Sequence, residues 1–278
     1  IIKTFVDSPQ EDKIESGDYI KVKGSIRFDP FSKEPVLYMD SCNKMARSER
    51  CDESPQKRIE LHAHTKMSAM DGLSEVKGLI NKAAAWGHPA IAITDHGCIQ
   101  AFPLAFAAEQ ALQDKGKNLK IIYGVEAYLV EEDKKERPYH IILLAKNRNG
   151  LKNLYKLISL SYLDHFYRKP KMRRADLECY REGLLLGSAC EAGELYQALL
   201  NEADEEQLNH IVQFYDYLEI QPLSNNQFLI KEGRFQSETE LMDLNRRIIT
   251  LGEKNHKLVV ATGDVHFLEP QDQIYRTI

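Results

Sequence analysis

The sequence predicts an α/β fold in which a seven-stranded (βα) barrel follows a small β segment. From Arg58 onward, short apolar runs alternate with longer segments of helical periodicity, which is typical of βα repeats around a parallel sheet. Seven such runs are present, and seven strands in this arrangement favour a closed barrel. The predicted strands are 59–61, 90–94, 120–125, 141–144, 183–187, 217–220 and 258–262.

The predicted helices lie between these runs, and the clearest are 73–86, 100–114, 150–162, 205–215 and 238–253. Two highly charged segments, 131–137 and 168–174, interrupt the pattern. We interpret both first as solvated loops, because charge runs without apolar periodicity are typical of exposed connections.

Residues 1–54 are predicted to form a separate, incomplete β domain. In 17–24 apolar and basic residues alternate with the period of a strand, and 36–39 is a plausible antiparallel partner. Two or three strands rarely form a stable unit alone, so this piece is expected to be part of a larger β domain. The polar run 47–57 is the predicted linker, which gives domains 1–54 and 55–278.

Composition excludes several classes of protein. Of 278 residues, 43% are hydrophobic and 28% are charged, so a mainly disordered chain is excluded. The formal net charge of −5 argues against a stand-alone, non-specific nucleic-acid binder. No run approaches the roughly 18 apolar residues of a membrane helix, and the five cysteines form no C-x-x-C pair. We expect a cytoplasmic protein without a membrane partner. Because the initiator Met is missing, we also expect the sequence to be part of a longer chain.

Side chains that can bind a metal ion lie at the ends of the predicted strands. Because side chains alternate along a strand, His62 and His64 share one face at the end of the first run. Asp264 and His266 repeat this arrangement after the last run. Further apolar runs lead to a metal-competent group at His96, Glu126 and Cys190.

The carboxyl ends of barrel strands surround one mouth, so these seven side chains are expected to meet there. His88 and His256 precede their strands and are assigned to the opposite rim, without a site role. Each residue taken alone is more often a hydrogen-bonded core group than a ligand, and Cys190 alone would be a small buried hydrophobe. Asp95 points away from His96 by strand alternation and is expected at most to support the site.

Imidazole, carboxylate and thiolate ligands together favour Zn²⁺, Mn²⁺ or Fe²⁺ over Mg²⁺ and Ca²⁺, which prefer oxygen ligands. More than six candidate ligands are too many for one ion, so we predict two or three divalent ions held close together. Such clusters hydrolyse phosphate esters, and this is the leading chemistry.

These motifs resemble the polymerase and histidinol phosphatase (PHP) domain of bacterial PolC-type DNA polymerase III, over residues 58–278. The matching motifs are Glu60-Leu61-His62-Ala63-His64-Thr65, Met70-Asp71-Gly72, Ile93-Thr94-Asp95-His96-Gly97, Tyr123-Gly124-Val125-Glu126-Ala127, Tyr139-His140, Gly187-Ser188-Ala189-Cys190 and Ala261-Thr262-Gly263-Asp264-Val265-His266. The resemblance implies a distorted, TIM-like (βα)7 barrel and a trinuclear metal site with Glu126 as bridging carboxylate. The implied ligands are His62, His64, Asp71, His96, Glu126, His140, Cys190, Asp264 and His266. Asp71 and His140 rest on the resemblance alone.

The resemblance also implies that residues 1–54 are the second half of an OB fold. PolC-type chains carry a proofreading exonuclease inserted in the PHP domain, near 130–137 in this numbering, and this sequence has no such insert. The polymerase palm is also missing from this sequence, so we expect no DNA synthesis from this piece. The implied partners are the rest of the polymerase chain and DNA, contacted through the full enzyme.

Three functions stay open. The metal cluster would hydrolyse phosphate esters such as 3′ DNA ends or pyrophosphate, or it would brace the polymerase without turnover. A stand-alone small-molecule phosphatase of the histidinol-phosphatase kind would share the ligands but would not explain the OB-like segment.

For nucleic-acid contact the best local candidate is a basic run, although a solvated loop remains the favoured interpretation. This run comprises Arg168, Lys169, Lys171, Arg173 and Arg174.

Overall fold

The computed structural model describes residues 2–3, 14–15, 18–45, 50–132 and 135–276. The chain divides into two compact units, Ile1–Glu53 and Ser54–Ile278. Part of the predicted linker, 46–49, lies outside the described residues. Within the described ranges, every helix is too short or too polar to cross a membrane.

The first unit is a small sheet of β1 (Ile2–Lys3), β2 (Ile20–Asp29) and β3 (Glu34–Lys44) in the order β1-β3-β2. β2 and β3 pair antiparallel, as the alternating pattern predicts, with an irregularity between Lys23 and Gly24. A Cβ at Gly24 would lie 2.1 Å from the carbonyl oxygen of Tyr38, so this irregularity needs a residue without a side chain. The assignment to an OB fold stays a prediction.

The second unit is a curled mixed sheet with helices packed on it. Its strands are β4 (Ala90–Ile93), β5 (Lys120–Val130), β6 (Tyr139–Ala145), β7 (Phe166–Tyr167), β8 (Lys169–Arg173), β9 (Leu184–Gly187), β10 (Tyr217–Ile220) and β11 (Leu258–Ala261). The order is β11-β10-β9-β6-β5-β8-β7, and β4 also pairs with β5. This is the predicted α/β architecture of a distorted barrel.

The helices of the second unit occupy the predicted segments, with shorter helices added between them. They are α1 (Val76–Ala85), α2 (Phe102–Gln113), α3 (Arg148–Leu163), α4 (Arg174–Cys179), α5 (Glu194–Leu200), α6 (Glu205–Phe214), α7 (Phe228–Lys231), α8 (Glu238–Lys254) and α9 (Gln273–Arg276). α3 begins at an N-cap, Asn147, whose side chain accepts a hydrogen bond from the backbone of Gly150. A large apolar core joins β5, β6 and β9 to α3, α5, α6 and α8.

One strand departs from the predicted parallel arrangement. β6 pairs antiparallel with both β5 and β9. β5 runs on to Val130, and only residues 131–138 connect it to β6. A parallel neighbour needs a crossover of a dozen or more residues, so this short connection forces the chain to turn back as a hairpin. The start of β6 therefore lies at the edge where β5 ends.

The predicted strand 59–61 is reduced to single bridges. Glu60 bridges Ile91 and Ala63 bridges Val265, both parallel, so this segment links β4 to the chain that follows β11 and closes the ring. A longer ladder does not form, because two backbone donors are bound by side chains. The N–H of His62 donates to the Glu60 carboxylate, and that of Ala63 donates to the Thr94 hydroxyl.

The interpretation of 168–174 as a solvated loop is wrong. Residues 169–173 form β8, which pairs with β5 and carries the hairpin partner β7. Lys171 is buried and its amine donates to the carbonyl of Glu136, and Arg174 binds Glu131 and Glu194. Strand pairing and these ion pairs order the segment.

The other charged segment, 131–137, connects β5 to β6, and its residues 133–134 lie outside the described residues.

Candidate metal centre

Several parts of the chain bring imidazole, carboxylate and thiol groups to one edge of the sheet. The segment after β4 is bridged to β5, where His96 and Glu126 pair. The chains after β9 and β11 turn through left-handed backbone at Ala189 (φ 60°) and Asp264 (φ 48°). These turns place Cys190, Asp264 and His266 at the same edge, in a backbone conformation that is uncommon for residues other than glycine but that aspartate adopts more readily than most.

Glu126 lies at the centre of the cluster and is 1% exposed. Its Oε1 is 3.3 Å from His62 Nε2 and 2.9 Å from His140 Nδ1. Its Oε2 is 3.4 Å from His64 Nε2 and 2.7 Å from His96 Nδ1. One carboxylate therefore contacts four imidazoles, which is the position that a bridging ligand requires.

Hydrogen bonds fix the tautomers of the two innermost histidines. His62 Nδ1 lies 3.1 Å from Glu219 Oε2, and an ionised carboxylate can only accept, so the ring proton sits on Nδ1. The single hydrogen of Ser68 Oγ is donated to Asp95 Oδ1, so Ser68 accepts from His64 Nδ1 at 3.0 Å. In the neutral form of each ring, Nε2 therefore carries no proton and points into the cluster, where it can bind an ion.

Asp264 completes this inner group. Its Oδ1 lies 3.3 Å from His62 Nε2 and 3.2 Å from His64 Nε2. Asp264 therefore contacts the same pair of nitrogens as Glu126, from the segment that follows β11.

Asp71 joins the cluster at its solvent side. Its Oδ2 is 2.8 Å from His96 Nε2 and 3.2 Å from His266 Nε2, and Arg276 binds Oδ1 at 3.0 Å. His266 Nδ1 faces the carbonyl oxygen of Asp264 at 2.8 Å, so in the neutral ring Nε2 carries no proton and can bind an ion. Asp71 is thus held between two histidines and one arginine.

Cys190 lies on the remaining side, with its Sγ 3.5 Å from both Glu126 Oε1 and His140 Nδ1. His140 reaches the cluster from the start of β6, which the antiparallel direction of this strand brings to the mouth. Glu191, which was not predicted, forms a further group with Cys190 and Asp264 whose ligand atoms lie within 4.8 Å of one another.

The residues present fit a group of divalent ions. Five buried atoms in the cluster have no hydrogen-bond partner among the described residues: His62 Nε2, His64 Nε2, His96 Nδ1, Glu126 Oε2 and Asp264 Oδ1. Buried polar atoms in this state are costly unless a ligand binds them. Ligands about 2.1 Å from one ion, at angles of 90–110°, are about 3.0–3.4 Å apart. The Glu126 and Asp264 oxygens lie 3.2 to 3.4 Å from His62 and His64 Nε2.

A family model for the PHP domain matches residues 60–222, which is more than half of the chain. This chain belongs to the PHP domain family. The resemblance drawn from the sequence motifs is therefore confirmed at the level of the family.

Two relatives are similar over nearly the whole chain. DNA polymerase III PolC-type of Clostridium perfringens is 28% identical over 467 residues, which cover 96% of this chain and 32% of the relative. The same protein of Bacillus subtilis is 26% identical and covers 100% of this chain and 33% of the relative. This chain thus spans about a third of these curated relatives. A solved candidate metal-dependent phosphoesterase of Bifidobacterium adolescentis is 16% identical, covers 78% of this chain and 91% of its own, and gives a TM-score of 0.49.

The PHP site opens into a cleft of about 740 Å³. Its lining includes Asp71, His96, Glu126, His140 and Cys190, together with Arg276. His62 and His64 lie beneath this surface and are fully buried. The cluster therefore has an inner part closed to solvent and an outer part that a ligand in the cleft can reach.

Sequence reasoning missed the groups that hold the predicted ligands. Glu219 is 2% exposed and binds both His62 and Thr262, and Glu60 accepts from the backbone of His62 and Gly263. Both glutamates lie within apolar strand segments, where a charged residue is rarely buried without a partner. This pattern could have identified them from the sequence. Asp95 takes the supporting role that was predicted, since it accepts hydrogen bonds from Thr65 and Ser68.

Burial and charge act in opposite directions on the cluster. Burial acts to lower the pKa of His96, but the neighbouring carboxylates of Asp71 and Glu126 raise that pKa to about 9. Burial lowers the pKa of His64 to about 4. Burial opposes ionisation of Glu126, but His140 and His62 hold its pKa well below the usual range. Burial also raises the pKa of the Cys190 thiol, so without metal this sulfur is protonated.

The metal-free protein is expected to lose stability between pH 6.5 and about 9. The folded-state pKa of His96 is raised, so its stabilisation is complete below about 6.5 and is lost as the pH rises through 9. For His96 the loss is about 3 kcal/mol. Urea unfolding of chelator-treated protein at both pH values measures it. In His96→Asn the loss of stability between pH 6.5 and 9 should be smaller by this amount. An equally steep loss in the variant would contradict the assignment of this pH dependence to His96.

Proposed function

We propose that this PHP domain binds two or three divalent ions and hydrolyses phosphate esters at nucleic-acid ends. The observation that carries the proposal is the convergence of five buried ligand atoms without hydrogen-bond partners among the described residues. The proposed ligands are His62, His64, Asp71, His96, Glu126, His140, Cys190, Asp264 and His266. Imidazole, carboxylate and thiol groups in one site favour Zn²⁺, Mn²⁺ or Fe²⁺.

Ions bound here would lower the pKa of a water molecule to near 7 and offset negative charge on the phosphoryl oxygens. The chain's own residues prepare the site for this. Glu219 and Ser68 hold the Nδ1 protons of His62 and His64, which keeps both Nε2 lone pairs pointing inward. Arg276 places a guanidinium at the cleft beside Asp71, where a phosphate can be bound by two parallel hydrogen bonds.

We also propose that the chain acts as part of a PolC-type replicative polymerase, with DNA as the wider partner. Similarity to this class extends over 96–100% of the chain, including residues 1–54, and this disfavours a stand-alone small-molecule phosphatase. The C. perfringens alignment runs over 467 residues against 278 here, so that relative has additional residues within the aligned region. We place them as an inserted exonuclease at 130–137, in the β5–β6 connection.

A structural role is the second candidate function. His62 and His64 are fully buried beneath the cleft, so an ion bound by both Nε2 atoms would lie on the inner side of the cluster. Ions in this inner position would link the segment before β4 to β5 and β11 and hold the barrel closed. This role and hydrolysis at the outer groups are compatible, and an assay decides whether turnover accompanies binding.

The test combines metal analysis with hydrolysis by purified protein in Mn²⁺ or Zn²⁺. We expect at least two ions per chain and release of nucleotides from the 3′ end of an oligonucleotide, faster than phosphate release from p-nitrophenyl phosphate. Pyrophosphate is assayed in parallel. Fewer than two ions together with no turnover would defeat the enzymatic proposal, whereas bound ions without turnover would leave the structural role. Element-specific X-ray scattering then identifies the metals.

A further inference from the structure

An exposed group of aromatic and basic side chains lies beside the metal centre, on the β7–β8 hairpin and the end of α3. Tyr162, Phe166 and Tyr167 are 43%, 48% and 38% exposed. The rings of Tyr162 and Phe166 are stacked, with centroids 6.0 Å apart and planes tilted by 27°. Arg168 and Lys169 follow directly and are both exposed. We call these five residues the aromatic strip.

The cations of the strip differ from the rest of the basic run. Arg173 forms two hydrogen bonds with Asp176, Lys171 donates to the carbonyl of Glu136, and Arg174 binds Glu131 and Glu194. Arg168 and Lys171 both lie over the ring of Tyr167, 5.5 and 5.6 Å from its centroid, but Lys171 is buried whereas Arg168 is exposed. These contacts leave the two cations of the strip accessible beside exposed rings, which is the combination that binds single-stranded nucleic acid.

The strip is connected to the metal centre through Tyr128. Lys169 Nζ lies 4.4 Å from the centroid of the Tyr128 ring. The Tyr128 ring in turn lies nearly parallel to that of His96, with centroids 6.0 Å apart, and meets His140 edge-on. The position of the hairpin is fixed, because Pro170 packs so closely on Gly97 that a Cβ there would lie 2.7 Å from Pro170 Cγ.

We propose that the aromatic strip binds single-stranded nucleic acid and directs the end of the strand to the metal centre. Bases stack on Tyr162, Phe166 and Tyr167, and Arg168 and Lys169 bind the phosphates between them. Stacking on exposed rings is tolerant of base sequence and requires unpaired bases, so the strip selects single strands over duplexes. This inference rests on the proposed function and specifies the form of its substrate.

Binding of fluorescein-labelled oligo(dT)12 to chelator-treated protein, followed by fluorescence anisotropy, tests the strip without turnover. Phe166→Ala and Tyr167→Ala should each weaken binding at least about fivefold, the size of alanine effects at stacked bases. Phe166→Leu should weaken binding as much as Phe166→Ala if stacking is the cause, and Tyr167→Phe should bind normally. Lys169→Gln should reduce the dependence of binding on salt. Phe31→Ala is the matched control, since Phe31 is 94% exposed and lies in the first unit.

Unchanged affinity in the Phe166→Ala/Tyr167→Ala double variant would overturn the inference, as would equal binding of a 12-base-pair duplex. Either result would assign the exposed rings to a protein partner instead. Hydrolysis of bis(p-nitrophenyl) phosphate separates this failure from failure of the proposed function. If the protein hydrolyses this small diester but the double variant binds oligo(dT)12 normally, only the strip is refuted. If the protein binds through the strip but hydrolyses nothing, only the proposed chemistry is refuted.

Discussion

Glu126→Gln is expected to remove metal-dependent hydrolysis, lowering kcat/KM by at least about 100-fold, because even groups one step removed from a metal cost 10- to 100-fold. Glu126 contacts His62, His64, His96 and His140, so one carboxylate serves several proposed ion positions. An amide has the same shape but only one oxygen, and it carries no charge. The variant is therefore expected to lose more than one ion.

The measurement is metal content per chain together with turnover of a phosphodiester. Glu219→Gln provides a graded comparison, because Glu219 contacts His62 only through Nδ1, and we expect a 10- to 100-fold loss there. Glu178→Gln, at an exposed position of α4, is the control for the change of charge alone. Full metal content in Glu126→Gln would show that this residue does not bridge the ions.

Strand alternation and the polarity of barrel strands were enough to predict seven of the nine proposed ligands. The reasoning worked for His62 and His64 because a two-residue period is a local property of the backbone. It worked for His96, Glu126 and Cys190 because parallel strands end at one edge. In the structure these seven side chains lie in one cluster, and whether they bind metal stays a prediction.

The two remaining residues could not be derived from that reasoning, for different physical reasons. His140 precedes its apolar run and would lie at the opposite rim of a parallel sheet. The antiparallel direction of β6 depends on the short β5–β6 connection, which the sequence pattern alone did not distinguish from a loop. Asp71 lies outside any strand, in a turn held by hydrogen bonds to Ser68, and its direction is set by tertiary contacts with His96, His266 and Arg276.

The basic run shows a limit of composition as a guide. Five cations within seven residues predicted a solvated loop, yet β8 is an interior strand of the sheet. Lys171 is buried there because its amine reaches a carbonyl oxygen, and Arg174 is neutralised by two glutamates. The burial and order of these cations depend on partners from other segments, and a local sequence pattern does not identify those partners.

Removing the metal ions is expected to destabilise the second unit more than any single substitution. An ion present at about 1,000 times its Kd contributes about 4 kcal/mol to the free energy of unfolding. For a unit of this size, 1 kcal/mol corresponds to about 2–4 °C, so each bound ion would raise the Tm by about 8–16 °C. Chelation should therefore lower the Tm by at least about 16 °C if two ions are bound.

Protons cannot fully replace the ions, and this is why the loss should be large. His96 is protonated in the metal-free state at neutral pH, since its pKa is about 9, and it partly offsets the charge of Glu126 and Asp71. Burial keeps the pKa of His64 at about 4, so its Nε2 has no proton to donate to the Asp264 and Glu126 oxygens that lie 3.2 and 3.4 Å away. Calorimetry of the protein with and without chelator, followed by addition of Zn²⁺ or Mn²⁺, measures the loss and its recovery. A Tm that does not change on chelation would mean that the described groups hold the barrel closed without ions.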